Sequence, residues 1–255
     1  SPAPGILCPA AMTASRMRKI QKLIAAFAMA TATLSAISCE FLNSPSEEGN
    51  GNKEENVTEI DNDEFVILFT NDFHSQIEPI SSNDMGGIKR IKALVDSVRN
   101  AEPVVLLADA GDLVQGTYYF SLLNGVVEMM VLDELEYDIR TLGNHEFDKK
   151  MVGLGDMLAM SSVPVVATNY DFSNTALDRF VQKSSIVNAG KLKIGFIGLN
   201  VRLHNLVDPA ACEGVIWQDA INLADKEAEK LRDQGADMVI ALSHLGYQHN
   251  DDRVY

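Results

Sequence analysis

The chain has 255 residues, 46% hydrophobic and 22% charged, enough to build a core in one large domain or two small ones. A formal net charge of −15 excludes an electrostatic binder of nucleic-acid polymers, which needs a basic stripe to displace counterions from phosphates. A small phosphorylated substrate stays open, because bound cations reverse the local field.

The chain begins with an address. Arg16, Arg18 and Lys19 precede an apolar run from Ile20 to Ile37, the order of a secretory signal. Residues 1–16 read as upstream sequence, with Met17 or Met12 as the start. The run closes Leu34-Ser35-Ala36-Ile37-Ser38-Cys39. This resembles a bacterial lipobox, with Ala36 where Leu is usual, and so predicts a lipid on Cys39; an ordinary cleaved signal is the alternative. The uninterrupted apolar stretch falls short of the ~20 residues a membrane span requires. Residues 1–38 are therefore expected to be upstream residues and signal. Residues 39–63, rich in Ser, Asn, Gly and acid and poor in apolar residues after Leu42, are expected to be a flexible linker. Cys8, Cys39 and Cys212 are the only cysteines. They are too few and too scattered for a disulfide framework or a metal-ligand spacing.

The folded domain is expected over residues 64–255. Phe65 to Thr70 is a continuous apolar run, as in a strand buried on both faces, and it leads into Asn71-Asp72-Phe73-His74. Ile88, Ile91, Leu94, Val95 and Val98 repeat with helical spacing. Val104 to Ala108 predicts a second strand, followed by Asp109-Ala110-Gly111-Asp112 and Gly116. One helix is predicted over about 117–135, then a short strand, Asp138 to Leu142, running into Gly143-Asn144-His145. Val163 to Ala167 is a further strand. A hairpin is predicted from Phe180–Val187 and Lys191–Leu199 around Asn188-Ala189-Gly190. A helix from about Asp219 to Gln234 is closed by Gly235, and a last strand, Met238 to Leu242, ends at Ser243-His244.

Strand alternating with helix predicts an α/β fold with largely parallel sheets, in which functional groups collect at the carboxyl ends of strands. Four predicted strands end in Asp72/His74, Asp112, Asn144/His145 and His244. Any one of these is ordinary loop chemistry; their shared placement marks a site. Carboxylate, amide and imidazole donors suit divalent Mn, Zn, Fe or Co. So many donors on four strands predict two ions, held about 3.5–4 Å apart by a bridging carboxylate, with Asp112 in its glycine-flanked turn as the bridge.

In order, Asp72-x-His74, Gly111-Asp112-x-x-x-Gly116, Gly143-Asn144-His145-Glu146 and Ser243-His244 resemble the signature of the calcineurin-like metallophosphoesterases. The fuller forms, from Thr70-Asn71-Asp72 to Gly143-Asn144-His145-Glu146-Phe147-Asp148, are similar to its 5'-nucleotidase branch. That branch includes bacterial UDP-sugar hydrolases and animal ecto-5'-nucleotidases. The resemblance implies the family's α/β sandwich of mostly parallel sheets flanked by helices. It implies Asp72 and His74 on a first metal, Asp112 on both, and Asn144 and His244 on a second. His145 would be the catalytic histidine and Asp148 the partner that orients its ring, while Glu146 supports the loop. His204 and His249 fall in no motif and are expected at the surface.

The family pattern continues past Ser-His with a GHxH motif and a C-terminal nucleotide-binding domain; this chain ends at Tyr255. The expectation is a truncated domain with weak metal binding and little activity. The implied reaction is two-metal hydrolysis of a nucleoside monophosphate by an exported, cell-envelope enzyme attached to the membrane only through Cys39. Alternatives are a 2',3'-cyclic phosphodiesterase, a UDP-sugar hydrolase or related ester hydrolase, and a noncatalytic metal- or partner-binding lipoprotein.

Overall fold

The computed structural model describes residues 64–82 and 85–246. The expected signal, Cys39, the linker and His249 lie outside the described residues. Five strands form the first sheet: β1 (Val66–Thr70), β2 (Val105–Asp109), β3 (Ile139–Arg140), β4 (Val165–Val166) and β6 (Val181–Gln182). They lie in the order β1-β2-β3-β4-β6, every pair parallel. Because each strand is added on the same side of the last, right-handed crossovers put the intervening helices on one face. These are α1 (Ile88–Ala101), α2 (Tyr118–Leu123), α3 (Val126–Glu134) and α4 (Lys150–Met160). The second sheet is β10-β8-β7, from β7 (Ser184–Ala189), β8 (Leu192–Asn200) and β10 (Met238–His244), with β7 antiparallel and β10 parallel to β8. Helix α5 (Ala220–Asp233) covers its outer face, and a short antiparallel pair joins β5 (Tyr170–Asp171) to β9 (Ile216–Trp217).

The period-2 alternation of strand side chains sorts the apolar residues into layers. On β2, Leu107 points to the helices with Val95, Phe120, Leu132 and Leu154, while Leu106 and Ala108 point to the second sheet. There they meet Ile139, Val166, Ile194, Phe196 and Leu242. Ile197 of β8 faces the other way and packs with Leu231 of α5. The order is helix, sheet, sheet, helix, with apolar contact in each interlayer. The largely parallel sheets expected from the strand-helix alternation are present.

Several boundaries differ from expectation. The helix expected over 117–135 is two, because Asn124 (φ 52°) and Gly125 (φ 91°) take left-handed conformations that end one helix and start the next. Helix α4 had no forecast. The first arm of the hairpin is divided: Val181 and Gln182 pair with β4 in the first sheet, and only Ser184–Ala189 pairs with β8. Helix α5 conforms, with the Asp219 carboxylate accepting from Asn222 N (3.1 Å) and Gly235 at φ 90°. Strand β10 runs two residues further than expected and carries His244 itself. None of the described helices is long and apolar enough to cross a membrane.

At one end the two sheets meet through polar contacts. Gly198 of β8 donates to Thr168 Oγ1 (3.1 Å) and accepts from Thr168 N (2.7 Å). A Cβ at Gly198 would lie 2.1 Å from Val166 O, so the sheets could keep this separation only by yielding elsewhere. Gly198→Ala is expected to destabilise the fold by about 1–3 kcal/mol or more, the usual range for overpacking. Urea unfolding followed by circular dichroism measures this, and an unchanged midpoint would mean that the seam is looser than its contacts indicate.

Candidate metal centre

The loops after β1 and β2 continue side by side beyond the strands. Asp72 N donates to Gly111 O (3.0 Å), His74 N to Asp112 O (3.1 Å) and Ser75 N to Leu113 O (2.9 Å). These bonds hold backbone that side chains resist: Asp72, His74, Ser75, Asp112 and Gln115 all have φ between 50° and 96°. Each such residue costs on the order of 1–3 kcal/mol and persists only where its surroundings over-determine it. Glu146 supplies part of that support. Its buried carboxylate accepts from Asp112 N (3.2 Å), Leu113 N (2.9 Å) and Gly143 N (2.6 Å). The β2 and β3 loops are thereby clasped around one anion. Gly143 is required by closeness: a Cβ there would lie 2.1 Å from Asp112 Oδ1.

Asp112 stands at the centre, its side chain 5% exposed. Oδ1 accepts from His145 N (2.8 Å), and Oδ2 lies 3.2 Å from His244 Nε2 and 3.8 Å from His74 Nε2. His74 Nε2 is also 3.6 Å from Asp72 Oδ1. Both histidines are held from behind. His74 Nδ1 donates to Gln115 Oε1 (3.0 Å) and His244 Nδ1 to Ala110 O (2.9 Å). Those acceptors fix the tautomer, so each Nε2 turns to the carboxylates. His145 Nδ1 donates to Asp148 Oδ2 (3.0 Å), and its ring meets that of His74 edge-on at 5.2 Å.

The electrostatics of the cluster are set by its carboxylate–imidazole pairs. Burial disfavours the charged form of both Asp112 and His244. The hydrogen bond and charge between them outweigh it, lowering the Asp112 pKa and raising that of His244 to about 9. The contact between Asp72 and His74 (3.6 Å) likewise lowers the carboxylate's pKa and raises the imidazole's. In each pair the imidazole Nε2 stands where a cation would balance the carboxylates. Asp72, His74 and Asp112 each offer one ligand atom, all within 4.8 Å of one another. Two carboxylate oxygens and an imidazole nitrogen of preset tautomer are a donor set that a divalent ion fits.

Of the residues singled out from the sequence, Asp72, His74, Asp112, His145 and His244 converge, and Asp148 joins through His145. His244 joins the triad through Asp112. Asn144 opens the short 3₁₀ turn His145–Phe147 without capping it through its side chain, so its amide is not spent on that turn. His204 is exposed, as expected. Two supporting residues had no forecast role. Gln115 orients His74, and Asn200, at the end of β8, donates from Nδ2 to Thr141 Oγ1 (2.9 Å) and to Leu142 O. Asn200 closes a long apolar strand, and that pattern could have flagged it.

The chain matches the family model for calcineurin-like phosphoesterases over residues 65–255. It is 31% identical over 199 residues to the 5'-nucleotidase of Bos taurus, covering 72% of this chain and 34% of that protein. Identity is 32% over 198 residues to the NAD 5'-nucleotidase of Haemophilus influenzae, covering 73% of this chain and 33% of the relative. Among solved structures, the 5'-nucleotidase precursor from Thermus thermophilus superposes with a TM-score of 0.67 at 33% identity, over 71% of this chain and 37% of that one. The chain thus spans about a third of the length of the curated relatives it matches.

The His244–Asp112 pair sets a pH dependence. A folded pKa near 9 against an ordinary 6.5 gives stabilisation that is full below pH 6.5 and is lost as pH rises through about 9. Urea midpoints in EDTA should fall across that window for the wild type and stay flatter for His244→Gln. Equal slopes would show that the pair is not formed.

Proposed function

The chain belongs to the calcineurin-like phosphoesterase family, and on that premise we propose that it is the metal-binding, catalytic part of a phosphate-ester hydrolase of the 5'-nucleotidase type. The observation that carries this reading is one buried carboxylate, Asp112, approached by His74 from the first sheet (3.8 Å) and His244 from the second (3.2 Å). In this reading Asp72 and His74 hold one divalent ion (Mn, Zn, Fe or Co), Asn144 and His244 a second, and Asp112 both. Such ions act as Lewis acids on phosphoryl oxygens and make water a nucleophile at neutral pH.

The chain's own residues then have separate tasks. His145 is the catalytic histidine, beside the charge that develops on the phosphoryl group or leaving oxygen. Its Nδ1 is occupied by Asp148 (3.0 Å), which leaves Nε2 for that contact and limits the ring's rotation. Asp112 also accepts from the His145 amide (2.8 Å), so the same carboxylate that serves the metals fixes where the histidine's backbone stands. Specificity for a nucleoside is proposed to lie in a C-terminal nucleotide-binding domain of the kind the family resemblance implies. Export, with residues 1–38 as upstream residues and signal, 39–63 as tether and a lipid on Cys39, completes the reading. Similarity to an NAD 5'-nucleotidase makes dinucleotides the second substrate to try.

The test is phosphate release from AMP in Mn²⁺ or Zn²⁺, for the 255 residues and for the full open reading frame of the gene. His145→Ala should lower turnover about 10²–10⁴-fold, the usual worth of a positioned acid-base group, and leave metal content intact. Asp112→Asn should lose metal. No turnover of AMP, NAD, UDP-glucose or cyclic nucleotides by either form would overturn the assignment, and loss of metal in His145→Ala would reassign that histidine to ligation.

A further inference from the structure

Asp109 ends β2 three residues before Asp112 and offers no ligand atom to the triad. It is wholly buried. Its Oδ2 accepts from Thr70 Oγ1 (2.7 Å), and its Oδ1 accepts from Gly111 N (3.0 Å). The Thr70 hydroxyl also lies 2.9 Å from Tyr137 Oη. Thr70 is the last residue of β1 and Tyr137 stands just ahead of β3, so the carboxylate holds the end of β1 and the loop after β2 directly and reaches Tyr137 through the Thr70 hydroxyl.

The bond to Gly111 N has the greatest leverage. Gly111 O is the acceptor for Asp72 N (3.0 Å), and at φ 96° Gly111 turns the chain so that Asp112 enters the site. Holding the Gly111 backbone therefore sets where both carboxylates of the triad begin. A core-filling role does not account for an acid at this place. Burial pushes the Asp109 pKa up to about 7 against the help of Thr70 and Gly111, and a buried apolar side chain of similar volume is generally no worse for stability than a buried charge. The neighbouring Arg140, its register partner on β3, is also buried, and its Nε and Nη2 find no hydrogen-bond partner among the described residues. That guanidinium compensates Asp109 only at a distance.

We propose that Asp109 is a positioning residue, whose hold on Gly111 N and Thr70 sets the loop backbone so that Asp72, His74 and Asp112 converge on one cation. The proposal rests on the metal-site reading above.

The experiment is calorimetric titration of EDTA-stripped chain with Mn²⁺, for the wild type, Asp109→Leu, Asp109→Asn and Leu231→Ala. Leu231 lies in the remote core under α5 and controls for general destabilisation. Asp109→Leu should weaken Mn²⁺ binding about 10–100-fold, the usual cost of losing a group that orients metal ligands. Asp109→Asn should restore it to within about threefold, because its carbonyl still accepts from Gly111 N, and its amide can donate to Thr70 while that hydroxyl turns to Tyr137. Leu231→Ala should bind as the wild type does, whatever its melting temperature. Should Asp109→Leu not fold, Thr70→Val removes one anchor at nearly constant volume, and an unchanged affinity there overturns the proposal. Wild type and Asp109→Leu binding alike overturns the role of Asp109 alone. No Mn²⁺ uptake by the wild type overturns the metal-site reading and this proposal with it.

Discussion

Four carboxylates, those of Asp72, Asp109, Asp112 and Glu146, stand together at the end of one parallel sheet, and three of them are buried. Their mutual repulsion in a poorly hydrated place is the constraint to which the surrounding structure answers. Each is balanced differently. Glu146 takes three backbone N–H groups, and Asp109 takes a hydroxyl and an amide. Asp112 takes His244 and the His145 amide, and Asp72 takes His74. The first two are satisfied by groups that cannot leave. The last two face imidazole Nε2 atoms instead, and this is where the proposed cation would enter. Their partners thus divide the carboxylates into a pair tied to fixed donors and a pair that, in the proposed reading, would ligate a cation.

The same division explains the strained backbone. Five non-glycine residues with positive φ in the β1 and β2 loops would together cost a sizeable fraction of a domain's net stability, which is itself only about 5–15 kcal/mol. They survive because the loops are bonded to each other in the manner of the strands they leave, and because Glu146 clasps the loop after β2 to the loop before His145. The candidate ligand side chains are then aimed by backbone that cannot relax, and little reorganisation would remain for a cation to impose.

Much of the site was legible in the sequence because it obeys a rule of position. Apolar runs of strand length end in Asp, Asn and His, and a parallel sheet brings such ends together wherever the chain places them between. The fold class followed from the same alternation. What was illegible depended on partners rather than on local pattern. Val181 and Ser184 are three residues apart, yet one pairs in the first sheet and the other in the second, and no periodicity encodes which neighbour a strand finds. Gly153 and Gly155 weaken the helical signal of α4, which forms because Leu154, Met157 and Leu158 have a core to enter. The roles of Gln115 and Asn200 depend on His74 and Leu142 O, which come beside them only in the fold.

The placement of His244 on the second sheet makes the site sensitive to how the sheets sit on each other. Between them the contact is mainly apolar, with Leu106, Ala108, Ile139, Ile194 and Phe196 filling the interlayer, and such contact is non-directional. Apolar packing alone would tolerate a small slide of one sheet over the other, and a slide would move His244 relative to Asp112. The site end is different. Thr168 and Gly198 exchange two hydrogen bonds, and Asn200 reaches across to Thr141 and Leu142. These bonds are directional and buried, so a displaced register would leave them unmade at a cost of about 1–3 kcal/mol for each group. They are concentrated where β8 and β10 deliver Asn200 and His244 as register partners. The polar seam therefore does for the second sheet what Glu146 does for the loops of the first: it turns a stable arrangement into a located one.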